Sequence, residues 1–213
     1  MNLIGYIEER FQNLELIPSI YNQWGTGIHF CLGENIYQLK ANEELNLKMF
    51  RIVYEQTSII FNELFEQNDD IFLVTNMYKH KKKEKCIRKL KVYQPFLKCK
   101  NHLNQIMVKT YPYPFEINKA EEYEMQQFSL LCKPRDLRVT ELLKAASNED
   151  FPQKPKFGGY SIDYPDVFFV NITKDIIFFI YDDRGCEVIA HDFKRIRPLY
   201  EKYHDWVEEY KCM

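Results

Sequence analysis

The chain has 213 residues, 46% of them apolar and 28% charged, with a net charge of −2. It is long enough to bury roughly 70% of its unfolded surface around a core, and no Gly/Ser-rich or Pro-rich linker divides it, so residues 1–213 read as a single domain. The longest uninterrupted apolar run, residues 176–181, is far short of the ~18 residues that a membrane-spanning helix needs, which excludes a membrane partner of that kind.

Residues 2–14 place Leu3, Ile7, Phe11 and Leu14 on one stripe of an amphipathic helix. The acidic residues at 8 and 9 and the lack of a basic leader argue against a signal peptide and for a cytoplasmic location. A short strand is expected over 28–32. A long helix follows, with Asn42 as N-cap and Leu45, Met49, Ile52, Val53, Ile60 and Leu64 inward. Residues 71–74 read as a buried strand, and 90–96 and 105–111 as weaker ones. Tyr111-Pro-Tyr-Pro114 cannot enter a central ladder, because each proline lacks an N–H. Residues 125–132 read as a strand and 136–147 as a helix capped by Asp136. Three apolar runs, 167–172, 176–181 and 186–190, form an antiparallel meander joined by Thr173-Lys-Asp175 and Asp182-Asp-Arg-Gly185. A terminal helix opens at Pro198 and continues through Tyr210. The meander strands are apolar on both faces and so require helices over the sheet. The fold class expected is α/β or α+β, a mixed sheet with a C-terminal antiparallel meander and covering helices. Strand, helix, strand over 28–74 and again over 125–172 also raises the question of an internal duplication.

Chemistry-bearing patterns are sparse. Gly25, Gly27 and Gly33 do not fit the dinucleotide fingerprint, and no phosphate-binding P-loop or serine nucleophile elbow occurs. No cofactor and no catalytic residue is therefore assigned. Six cysteines without any Cys-x-x-Cys read as free, buried thiols. His80, Cys86, Cys99 and His102 lack the paired spacing of a zinc site and lie in a basic stretch, so no metal is assigned.

That basic stretch is the main anomaly. Lys79, Lys81, Lys82, Lys83, Lys85, Arg88, Lys89, Lys91, Lys98 and Lys100, against Glu84 alone, give +9 within 22 positions and leave −11 for the remainder. An acidic body with one basic patch suits a polyanion, with Tyr78, Tyr93 and Phe96 as stacking candidates. The plainer reading is a solvated lysine-rich segment that guards a sheet edge. Lysine in place of arginine argues against base-specific readout.

Tyr181-Asp-Asp-Arg-Gly185 is the most distinctive short motif. It reads as a turn in which an aspartate accepts backbone N–H bonds and Gly185 takes a left-handed conformation. A polar site of Asp182, Asp183 and Arg184 is the functional alternative. At this motif the chain resembles a family of uncharacterised bacterial proteins, chiefly from Bacillus relatives, whose C-terminal part carries Tyr-Asp-Asp-Arg-Gly. The likeness extends over residues 163–171, 175–190 and 199–206, within the motif-bearing part 160–213, with His204 where the family pattern has Asn. The resemblance implies a small cytoplasmic bacterial protein and brings no activity with it.

The reading favoured by the sequence is a non-enzymatic protein that binds another macromolecule, first of all a protein partner, with an inhibitory or immunity-type role as one form of it. Nucleic-acid binding through residues 79–100 is the first alternative. A hydrolase with a site near Asp166, Asp182 and Asp183, assisted by Arg184, is the second.

Overall fold

A computed structural model describes residues 2–82, 92–158 and 162–207. β-Branched and aromatic runs between turn formers become strands: β1 (Gly27–Cys31), β2 (Ile71–His80), β3 (Met107–Pro112), β4 (Tyr123–Cys132), β5 (Asp166–Asn171), β6 (Ile176–Ile180) and β7 (Gly185–Ala190). They form one sheet in the order β1–β7–β6–β5–β2–β4–β3. Every pairing is antiparallel, so among the described residues the sheet is not mixed, and the fold is α+β. β2 inserts between β5 and β4 and runs opposite to both, which leaves no place for a parallel pair. This order also disposes of the duplication. β1 and β2 are separated by three strands, whereas β4 and β5 are separated by β2 alone.

Both faces of the sheet are covered. Helices α3 (Leu47–Leu64), α4 (Val139–Ser147) and α5 (Arg197–Lys202) contribute to the core on one face, where Phe50, Phe61, Leu142, Leu143 and Leu199 meet Leu73, Phe169 and Phe178. On the other face lie α1 (Leu3–Arg10), the short α2 (Ile20–Gln23) and the chain around them, bringing Tyr6, Phe11, Leu16 and Ile20 onto Phe72, Phe168 and Phe179. α1 starts where expected, because Asn2 Oδ1 accepts from Gly5 N at 2.8 Å. The Trp24 indole donates to Ala190 O at 2.8 Å and fastens this layer to β7.

Several boundaries differ from those read in the sequence: α1 ends at Arg10 and β2 runs on to His80, and three further differences have a clear cause. α3 begins at Leu47, not after Asn42, because residues 38–46 fold back on themselves: Lys40 N bonds Glu44 O and Asn46 N bonds Gln38 O, both at 2.8 Å. Residues 92–96 are helical turns, not strand. Pro95 removes a donor there, and Tyr93 and Phe96, three positions apart, are both buried. α4 starts at Val139, because Asp136 caps a preceding turn, its Oδ2 accepting from Lys133 N at 2.9 Å. The meander forms as expected. The expected terminal helix is shorter than read: it stops at Lys202, a separate turn follows over His204–Trp206, and Val207 bridges Phe30 of β1, while Tyr210 lies outside the described residues.

Among the described residues no helix is long and apolar enough to cross a membrane. Cys132 and Cys186 are buried as expected of core thiols, whereas Cys31, at the end of β1, and Cys99 are exposed. Phe169 carries much of the main core, 5.2 Å from Phe61 and 6.2 Å from Phe65 between ring centroids, with no exposed surface. Phe169→Ala is expected to cost about 3–5 kcal/mol. Urea unfolding would show it as a lower midpoint at unchanged slope.

Candidate functional site around the Tyr181–Gly185 turn

The turn between β6 and β7 is built by its own side chains. Asp182 Oδ1 accepts from Arg184 N at 2.7 Å, and its Oδ2 accepts from Arg184 Nε at 2.8 Å and from Nη2 of the same guanidinium. This two-pronged bond fixes both residues, leaving the Arg184 side chain two-thirds exposed above a buried Asp182. Tyr181 turns onto the sheet face, where its hydroxyl meets His29 Nε2 of β1 at 2.9 Å.

Gly185 corrects the sequence reading. It belongs to β7, pairs with Cys31 and does not take the left-handed conformation. The glycine is needed for space: a Cβ there would overlap the Tyr181 ring and hydroxyl and lie 2.7 Å from Phe30 O.

Asp183 points the other way and is 1% exposed. The Gln38 side chain, from the segment between β1 and α3, favours its charged form, while Asp183 Oδ2 has no hydrogen-bond partner among the described residues. Leu32 N donates to Arg184 O at 2.8 Å, which links that segment to the turn. That segment is a tight hairpin. Leu39 pairs with Leu45, Glu43 adopts a left-handed φ of 62°, and Asn46 Nδ2 donates to Tyr37 O at 3.1 Å. A Lys40–Glu44 ion pair at 3.3 Å closes the tip. Tyr37, Leu39 and Leu47 are 82%, 47% and 53% exposed, an apolar group held outward on a hydrogen-bonded support.

Carboxylates collect behind this surface. Glu149, just beyond the α4 cap, is buried, and its carboxyl is held well above the ordinary range first by burial and then by Asp166, Asp150 and Asp182. Burial likewise raises Asp183, with Asp182 and Asp150 adding to the shift against the Gln38 bond. Asp166 is pushed up to about 7 by burial, against the lowering bonds from Tyr78 and Asn76. The three acids of the hydrolase reading therefore lie at one end of the sheet but have different partners. Asp182 holds Arg184, Asp183 meets Gln38, and Asp166 accepts from the Tyr78 hydroxyl and from Asn76 Nδ2 at 3.1 Å. Among the described residues no group of three or more His, Cys, Asp or Glu is placed to hold a metal ion.

The basic stretch is only partly described. Lys83, Lys85, Arg88, Lys89 and Lys91 lie outside the described residues. Lys79 is not a solvated cation. It sits within β2, 5% exposed, opposite Glu124 of β4, with its ammonium 2.8 Å from that carboxylate. Lys81 Nζ donates to Ala120 O at 2.7 Å and Lys98 Nζ to Arg135 O at 2.8 Å, while Lys82 and Lys100 are exposed. Tyr78, Tyr93 and Phe96 are fully buried and present no face to a base, because β2 continues through Lys79 and the 92–96 turn packs inward.

Sequence reasoning missed Tyr37, Leu39, Leu47, Gln38 and Glu149. The available signal was Asn42-Glu43, a turn former between two leucines six positions apart, which is equally the start of a helix.

Residues 3–211 match DUF3885, a domain of unknown function. The chain belongs to the DUF3885 family. The match spans nearly the whole chain, so both covering layers and the 181–185 turn lie within one family domain. No solved structure matches it.

Two outcomes test this geometry. Gly185→Ala should destabilise by about 1–3 kcal/mol through overpacking, and Tyr181→Ala in the same chain should recover part of that loss, as a double-mutant cycle of urea midpoints would show. The second concerns pH. A carboxyl raised by folding binds its proton more tightly in the folded state, so its contribution is complete below about pH 4 and is lost as pH rises toward the folded value. Stability should therefore fall between about pH 4 and the Asp166 value of about 7. Glu149→Gln should flatten that fall, measured by urea unfolding across the same range.

Proposed function

We propose that this DUF3885 protein acts by binding another protein, and that the surface of Tyr37, Leu39, Leu47 and Arg184 is where it does so. The observation that carries the reading is the 82% exposure of Tyr37, with Leu39 and Leu47 also exposed, on a hairpin closed by the backbone bonds Lys40 N to Glu44 O and Asn46 N to Gln38 O. Exposed apolar groups on a rigid support cost little ordering entropy on binding. Tyrosine and arginine are also the residues most enriched among the side chains that dominate interface energies. In this reading the motif serves recognition: Asp183 braces the hairpin through Gln38, and Asp182 aims Arg184. An inhibitory or immunity-type role is the biological form such binding takes when the partner is an enzyme or a toxin.

The test is capture of partners by the tagged full-length protein after nuclease treatment, using wild type and Tyr37→Ala/Leu39→Ser. Both substitutions are at exposed positions and should leave the melting temperature nearly unchanged. The expected outcome is a stoichiometric protein recovered by wild type, lost by the double variant and retained by Lys81→Gln/Lys82→Gln. Recovery of the same protein by the double variant would refute the assignment of the surface. Elution of nucleic acid alone, released at higher salt, would favour the polyanion reading instead.

A further inference from the structure

Between the N-terminal layer and the β3–β4 end of the sheet lies a cavity of about 340 Å³. Its wall comprises α1, residues 14–17, the 111–114 segment, Met125 and Gln127. The volume falls in the range of small-molecule sites, about 300–1,000 Å³. Leucine, isoleucine, methionine, proline and tyrosine make up most of the surface, which suits an apolar body. The ionised side chains that line or border it are exposed and of both signs: Glu8 and Glu15 on the N-terminal layer, and Lys109, whose ammonium lies 4.9 Å from the centroid of the Tyr111 ring in the wall. Solvent screens all three. An ionised ligand would leave water without gaining a buried counter-charge, so the cavity disfavours ions of either sign.

One buried polar group of the wall has a fixed sense. Asn76 Nδ2 donates to Leu16 O at 2.7 Å and to Asp166 Oδ2 at 3.1 Å. A backbone carbonyl can only accept, so the atom it meets is the amide nitrogen, and Asn76 Oδ1 is the atom turned to Gln127. Gln127 Nε2 donates to that oxygen at 3.1 Å. This is the one hydrogen bond of the Gln127 side chain among the described residues, which leaves Oε1 as a free acceptor. Gln127 is 8% exposed and lines the cavity, so the acceptor is presented from a buried side chain whose orientation is set from behind. The Tyr113 hydroxyl, by contrast, is occupied: it donates to Asp163 Oδ2 at 2.7 Å.

We infer that this cavity binds a neutral small molecule with an apolar body and one hydrogen-bond donor, an alcohol or a phenol. The body displaces water from the leucine and isoleucine wall, and the hydroxyl donates to Gln127 Oε1. An analogue with a methyl group in place of the hydroxyl meets the same wall but leaves that acceptor with neither water nor a partner. The Asn76–Asp166 network holds the acceptor in place before the ligand arrives, which limits the ordering cost of binding. The inference is independent of the Tyr37 surface.

The experiment uses the full-length protein and p-cresol, with p-xylene, 4-methylbenzoate and 4-methylbenzylammonium as comparators of similar size, titrated while backbone amide shifts are followed by NMR. p-Cresol is expected to bind saturably, with shifts centred on residues 14–17, 111–114 and the start of β4. It should bind at least as tightly as p-xylene, although water solvates the phenol far better, and at least about tenfold more tightly than either ion. Gln127→Met should weaken p-cresol by about tenfold and leave p-xylene ahead, because the hydroxyl is then buried without a partner. Ile4→Trp, at an exposed position of the wall, should weaken both neutral probes. Preference of the wild type for p-xylene would overturn the inference, and so would an ion that binds as tightly as p-cresol or the absence of shifts at the lining residues. Affinity for p-cresol unchanged in a folded Gln127→Met protein, or in Ile4→Trp, would overturn it as well. The wild-type comparisons decide the matter even where Gln127→Met does not fold.

Discussion

Burial of β5 and β6 on both faces is the constraint on which the rest of the structure depends. Their register places Phe168 opposite Phe179 on one face and Phe169 opposite Phe178 on the other, with centroids 4.4 Å and 6.0 Å apart. All four rings are at most 1% exposed. Neither face can be left to solvent, since each large side chain contributes about 1.5–3 kcal/mol only when it is covered. The helical layer therefore covers Phe169 and Phe178, and the N-terminal segment covers Phe168 and Phe179. A shift of one residue in this pairing would exchange the two faces, so the register is strongly specified.

Such a sheet has no polar face, and its polar chemistry is pushed to its ends. One end holds the Tyr181–Gly185 turn, the hairpin of residues 36–46 and the buried carboxylates around Glu149. The other polar feature is the wire from Asp166 through Asn76 to Gln127, which crosses β5, β2 and β4 on the N-terminal face. Asp166 belongs to both regions. It raises Glu149 electrostatically and hydrogen-bonds the amide that supports the cavity floor. A carboxyl with a value near neutrality thus joins the buried carboxylates near the turn to the amide network that crosses β5, β2 and β4.

Lys79 and Lys81 illustrate how the edge region uses charge. In the sequence they open a run of cations. In the fold Lys79 pairs with the carboxylate directly across the ladder, and Lys81 closes onto the Ala120 carbonyl, both extending β2–β4 cohesion. The sheet thus takes part of its apparent basic patch for structure.

The sequence determined by itself whatever depends on local pattern. Two-sided apolar runs fixed the meander and its need for two covering layers. The stripe of Leu3 and Ile7 marked α1, and the prolines at 112 and 114 kept their segment out of a central ladder. What only the tertiary structure decided depends on which of several local partners wins. Asn42 and Asp136 are plausible caps, but Asn42 Oδ1 accepts from Glu44 N at 3.3 Å inside the turn of the 38–46 hairpin, and Arg138 N beyond Asp136 is taken by Phe96 O, so both helices start later. Gly185 is legible as a glycine that matters, but its reason is the Tyr181 ring lying against it, a contact four residues away that turn chemistry does not encode. The exposed Tyr37 and the acceptor-lined cavity were invisible for the same reason: each arises from segments brought together by the sheet order, and a single sequence records no distance between them.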